Sequence, residues 1–262
     1  MFTRLSLVLI AFLLGAPSVA LASSYSYFNM DETYSSNSAA FTKWNTMLAR
    51  FAQQQKLPEE KCGQVDYFPC RVKEWTHFLS TQRSKSLDDK LVAVNDYINS
   101  FPYVSDKANW NGDDFWETPY EFFTVSGNCK DYAIAKYFSL RALGVPASAM
   151  RIIVLQDLNL GGVIHAVLGV YRHGKLEILD NQVKQVAYAD DIYHYRPIYG
   201  INEAGWWRYE PRRGAHFVHT EEAEVTTHDN SVASGAPDEN SSSDDSSDEG
   251  STAKSSSLRH PG

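Results

Sequence analysis

The stretch SGNCKDYAIAKYFSLRALGVP, residues 126–146, constrains the fold more than any other part of the chain. A loop of small residues runs directly into a segment where Ala133, Tyr137 and Leu140 recur at helical spacing beside Ile134, Phe138 and Leu143, and Gly144 with Pro146 stops it. The spacing predicts a helix that starts at Cys129 and lies in the core. Helix N-termini present unpaired N–H groups and the positive end of the macrodipole, both of which favour a thiolate. Lys130 adds a positive charge, and Gly127 allows a close approach. This is a setting for a nucleophile. A lone cysteine is also commonly a small buried hydrophobe, so position alone leaves both readings open.

Both ends of the 262-residue chain fall outside the expected domain. Arg4, the apolar run Leu5 to Leu14 and the Ala20-Leu21-Ala22 site read as a signal peptide over residues 1–22, with an uncleaved membrane anchor as the alternative. Cleavage would start the mature protein near Ser23, in the periplasm or outside the cell. No later run is long enough to cross a membrane. From Thr220 onward apolar residues vanish and a Ser, Asp and Glu tract predicts a disordered acidic tail over 220–262, read as a solvated spacer or an interaction segment. That tail holds ten acidic and two basic residues, whereas the remainder without Arg4 holds 22 acidic and 21 basic. The acidity belongs to the tail, and the balanced domain over 23–219 has no nucleic-acid footprint.

Three cysteines in an exported chain suggest one pair and one remainder. Cys62 and Cys70 flank the short loop GQVDYFP and are the expected pair, a bridge worth about 2–3 kcal/mol if unstrained. Cys129 is then left with a free thiol.

Residues 40–100 read as helical, first in FTKWNTMLARFAQQQ and then in LDDKLVAVNDYINS, where Leu87, Leu91, Val94 and Ile98 line one face and Ser86 with Asp89 resembles a capping pair. Residues 102–127 form an aromatic segment with no periodicity of its own, read as a functional loop. Three strands follow, RIIVL, VIHAVLGVY and KLEILDN, the last two joined at a His173-Gly174 turn. There are no internal repeats, and helices followed by a helix and antiparallel strands give an α+β class.

The hairpin offers the partners a cysteine nucleophile needs. If Arg172 pairs with Lys175, the register sets Val167 opposite Asp180 and His165 opposite Gln182, so His165 and Asp180 share a face and meet diagonally. Ala166, Leu168 and Val170 then face the other side and pack on the helix. His165 would serve as the base and Asp180 would fix its tautomer. The Cys129 N–H is one oxyanion donor, and the Trp110 indole is offered as the second. His173 belongs to the turn, His77 to an early helix and His194 to a tyrosine-rich segment, while His216, His219, His228 and His260 lie in or near the tail. A zinc site is not expected, because Cys62 and Cys70 lack a second pair and His165 lacks a histidine at ligand spacing.

WNGDDFWETPYEF, GNCKDYAIAKYFSLRALGVP, HAVLGVY and LDN together resemble the bacterial transglutaminase-like cysteine proteinases over roughly residues 85–207. The resemblance implies a papain-like, transglutaminase-like core with Cys129, His165 and Asp180 as the triad. It implies a periplasmic endopeptidase that cleaves a large surface adhesin near its N-terminus to release cells from a biofilm, held in check by an inner-membrane cyclic di-GMP receptor. The family pattern around the nucleophile is GDCEDY, whose acids flanking the cysteine are associated with calcium; here those positions carry Asn128 and Lys130. Two negative charges are lost and a positive one gained, so no cofactor is expected. Asp131, Asp113 and Asp114 remain as oxygen donors, and solvated loop acids are the simpler reading of them. The resemblance favours hydrolysis over two alternatives, acyl transfer to an amine and a binding-only relative of the fold.

Overall fold

Between its first strand and the rest of the sheet the chain folds into helices that bury apolar faces against one another. In the computed structural model, which describes residues 28–56 and 69–212, α1 spans Thr42–Gln54 and buries Trp44, Met47 and Phe51. α2, Pro69–Gln82, buries Trp75 and Leu79 one turn apart. α3, Leu87–Asn99, buries Leu91, Val94 and Ile98 at the predicted spacing, while Leu87 is only partly buried. Ser86 caps it as expected, its Oγ accepting the Asp89 N–H at 3.2 Å and donating to Asp89 Oδ2 at 2.7 Å.

The aromatic segment read as a loop contains two short helices, α4 at Asp106–Trp110 and α5 at Pro119–Val125. Helices this short have too few turns to display a period, and their ends specify them instead. Ser105 Oγ accepts the Ala108 N–H at 3.3 Å. Thr118 and Glu121 form a reciprocal capping box, with Pro119 at the first helical position. α6 then spans Cys129–Ala142 and starts at the predicted residue. Every residue from Lys130 to Leu140 is buried, because α6 is packed by α3, α5 and two strands at once.

Among the described residues seven strands form one antiparallel sheet: β1 Met30–Ser35, β2 Met150–Asp157, β3 Val163–Arg172, β4 Lys175–Leu179, β5 Ala187–Tyr188, β6 Tyr195–Asn202 and β7 Gly205–Pro211. Their order is β1-β7-β6-β2-β3-β4-β5. The three predicted strands are β2, β3 and β4, and His173 and Gly174, with φ of 50° and 74°, make the turn that pairs Arg172 with Lys175. β1, β5, β6 and β7 were not foreseen. β6 carries Pro197 in its middle, beside a register shift between Val154 and Leu155, and a proline at that place masks a strand pattern.

The sheet separates two apolar clusters. Met150, Ile152, Leu168, Val170, Leu179 and Ile201 join the helices, including Ala133, Ile134, Tyr137 and Leu140 of α6. Ile153, Leu155, Val167, Leu176 and Ile178 join Met30, Tyr195 and Tyr209. The expected α+β class and the helix-on-sheet arrangement are both observed. The signal peptide over 1–22, Cys62 of the expected Cys62–Cys70 bridge and the tail over 220–262 lie outside the described residues. Among those described, no helix is long and apolar enough to cross a membrane.

Candidate active site

Cys129 is the first residue of α6, partly exposed, with a free thiol. Asp180 follows the last residue of β4. The β3–β4 ladder keeps the predicted register from Arg172–Lys175 to Leu168–Leu179, where it ends one residue before Asp180. His165, 2% exposed on β3, joins its Nε2 to Asp180 Oδ1 at 3.0 Å. The Cys129 thiol lies within hydrogen-bonding reach of the same imidazole. The structure thus brings the three predicted side chains together in the order thiol, imidazole, carboxylate.

Electrostatics reinforce that order. Burial alone would lower the His165 pKa, but the hydrogen bonds to Asp180 and to Cys129 outweigh it and raise the imidazole to about 9. Burial alone would raise the Asp180 carboxyl, but the hydrogen bond and charge of His165 outweigh it, helped by the Gln182 N–H at 2.9 Å and the Tyr195 hydroxyl, and hold it below its usual range. Asn99 Nδ2 donates to the Asp180 carbonyl at 2.8 Å and pins its backbone. Tyr195 escaped the sequence reading: it sits on β6, fifteen residues past Asp180, in no motif.

The Trp110 indole, offered as the second oxyanion donor, is engaged elsewhere. Its Nε1 donates to Glu117 Oε1 at 2.7 Å and its ring stacks on Phe115 at 4.3 Å, because the fully buried Glu117 carboxyl needs the donor. Asn109 Nδ2 gives the same oxygen a second hydrogen bond at 3.2 Å. Burial, then the nearby Asp131 charge, raise the Glu117 pKa well above the usual carboxyl range. Tyr103 is the group that stands by Cys129: it is 60% exposed, its ring stacks on Tyr132 at 6.3 Å, and its hydroxyl meets the Cys129 backbone.

Beside the thiol, the Lys130 ammonium is 2.8 and 3.0 Å from the two Asp106 carboxylate oxygens, 2.9 Å from Asn128 Oδ1 and 3.0 Å from Asp131 Oδ2. Asp131 also accepts the Glu117 N–H at 2.9 Å and the Asn128 N–H at 3.0 Å. Gly127 makes room for this cluster, since a Cβ there would meet Asp131 Cβ and Glu117 Oε2 at 2.6 Å. Asp113 is exposed, and Asp114, also exposed, accepts the Trp116 indole N–H at 2.9 Å and pairs with Lys43.

A buried helix that presents a thiol at its start to an antiparallel sheet is the architecture of papain-like cysteine peptidases, and the chain is of that class. It belongs to the bacterial transglutaminase-like cysteine proteinase family, whose sequence profile matches residues 61–210. Among solved structures it is similar to LapG of Legionella pneumophila, 33% identical over 53% of this chain and 77% of that one, with a TM-score of 0.49. An EGTA-treated form of LapG is 32% identical over 55% and 78%, with a TM-score of 0.50. A calcium-bound form is 28% identical over 63% and 86%, with a TM-score of 0.49. No curated protein matches the chain. Family membership makes it a cysteine peptidase with a transglutaminase-like core, and hence an enzyme that takes a protein substrate.

Proposed function

We propose that the protein is a periplasmic cysteine endopeptidase of restricted specificity, with Cys129 as nucleophile, His165 as general base and acid, and Asp180 as the carboxylate that orients the imidazole. The observation that carries this reading is the buried His165 ring held between a free thiol and the Asp180 carboxylate at 3.0 Å. Since Asp180 engages Nε2, Nδ1 is the ring nitrogen available to the thiol. His165 takes the thiol proton, and the sulfur attacks the scissile carbonyl. The tetrahedral oxyanion receives the Cys129 backbone N–H at the start of α6, which faces the Tyr103 hydroxyl oxygen until substrate enters. Collapse breaks the C–N bond, His165 protonates the leaving amine, and a water deprotonated by His165 hydrolyses the thioester.

The substrate proposed is a large surface adhesin, cut near its N-terminus, and the regulator is an inner-membrane receptor for cyclic di-GMP. Family membership and the likeness to LapG support both, and the sequence signal for export supports the periplasmic location. The test is incubation of the purified protein and of Cys129→Ala with the N-terminal region of a large adhesin encoded in the same genome. The expected outcome is a single cleavage that needs Cys129, with the two product masses summing to that of the substrate plus one water. Absence of Cys129-dependent cleavage overturns the adhesin reading.

A further inference from the structure

We infer that the Lys130 ammonium is a built-in cation that neutralises the buried carboxylates beside Cys129, locking α4 to the start of the nucleophile helix so that the enzyme works without calcium. The inference rests on the peptidase reading above for its activity consequence, and on geometry alone for its structural one.

An ammonium has three protons, and here all are used on a set of oxygens drawn from three places in the chain: Asp106 on α4, Asn128 before α6 and Asp131 inside it. The site is dry. Lys130 is 6% exposed, Asp131 is fully buried and Asp106 is nearly so. Two buried carboxylates this close to Glu117 demand a cation, because an unpaired buried charge costs several kcal/mol. Burial by itself would lower the Lys130 pKa, yet the Asp131 charge and the Asp106 hydrogen bond outweigh it and keep the group cationic.

Calcium does not fit this oxygen set. It takes six to eight oxygens at about 2.3–2.6 Å, and here a nitrogen occupies the point where the oxygens converge. Among the described residues no group of three or more His, Cys, Asp or Glu could hold a metal ion. LapG has been solved in a calcium-bound form and in an EGTA-treated form. A tethered ammonium cannot be removed by a chelator.

What the cation holds is the approach to the thiol. The segment between Phe101 and α4 carries Tyr103, and it is tied to the loop before Cys129 by the Val104 N–H to the Gly127 carbonyl at 2.9 Å and to α6 by the Tyr132 hydroxyl on the Phe101 carbonyl at 2.5 Å. Lys130 closes the same junction from the α4 side through Asp106. It touches neither substrate nor the reacting atoms, so it is a positioning residue.

The test measures thermal unfolding and the rate of Cys129 alkylation by iodoacetamide, neither of which needs a substrate, together with cleavage where a substrate is in hand. Wild type is expected to keep its Tm, and its alkylation and cleavage rates within twofold, in EGTA and in millimolar calcium. Lys130→Met should lower Tm by roughly 6–12 °C and slow alkylation about tenfold, with Lys130→Arg restoring part of each. The double variant Asn128→Asp with Lys130→Glu should gain a calcium-dependent rise in Tm. Overturning results are a wild type whose Tm or alkylation rate rises with calcium and falls with EGTA, or a Lys130→Met whose Tm and alkylation rate both match wild type. If Lys130→Met does not fold, the wild-type titration still decides. Failure of cleavage alone, with the other readouts as expected, speaks against the substrate and not against the cation.

Discussion

At the residue scale, two groups that feel the Asp180 charge titrate with opposite effects on stability. His165 is raised to about 9 in the folded state from an ordinary 6.5. Its protonation therefore contributes stability that is complete below pH 6.5 and is lost as pH rises through 9. Lys136, fully buried on α6 with no hydrogen-bond partner for its Nζ, is lowered by burial to about 7 from 10.5, despite the attraction of Asp180. Its ammonium is a cost that is complete below pH 7 and disappears as pH rises toward 10.5. Chemical denaturation across pH should show Lys136→Met more stable than wild type at pH 6 and losing that advantage by pH 10. His165→Gln should remove the downward slope between pH 6.5 and 9. Of these residues, His165 was legible in the sequence because a polar residue on an alternating strand stands out. Lys136 was not, since a lysine in a helix is read as solvated until the packing around it is known.

At the element scale, what could be read depended on length and regularity. α3 and α6 carry three or more apolar positions at helical spacing and a recognisable start, so their extents followed from pattern alone. α5 has seven residues, and its capping box is what holds it. Thr118 Oγ1 accepts the Glu121 N–H at 3.1 Å and donates to Gln54 Oε1 at 2.6 Å, so one hydroxyl caps α5 and joins it to α1. Thr118→Ala should cost about 1–2 kcal/mol in urea unfolding, and Thr118→Ser should recover most of it. The hairpin of β3 and β4 was legible to the residue, because a two-residue turn fixes register and register fixes which side chains meet.

At the scale of the whole molecule, the sheet gathers strands from the two ends of the described chain. Arg151 on β2 shows how. Its Nη1 donates to Glu32 Oε2 on β1 at 2.7 Å and to the Tyr171 hydroxyl on β3 at 3.0 Å, and its guanidinium lies 3.8 Å from the centre of the Trp207 ring on β7. Replacing it leaves Glu32 without its cation and opens the stack on Trp207, so Arg151→Met should cost about 3 kcal/mol in equilibrium unfolding. A loss within 0.5 kcal/mol would show that β1 is held by its backbone pairing with β7 alone. Nothing in the sequence joins Glu32 to Arg151, which are 119 positions apart. Sequence by itself determined the features that local physics controls: the nucleophile helix, its start at Cys129, and the hairpin that sets His165 near Asp180. Tertiary structure alone decided the rest. It brought Tyr195 onto Asp180, committed the Trp110 indole to Glu117, set Tyr103 by Cys129, and closed Asp106, Asn128 and Asp131 around Lys130. The reason is that a turn or a helix start is specified by neighbours in the chain, whereas a buried charge takes its partner from whatever the packed elements carry to it.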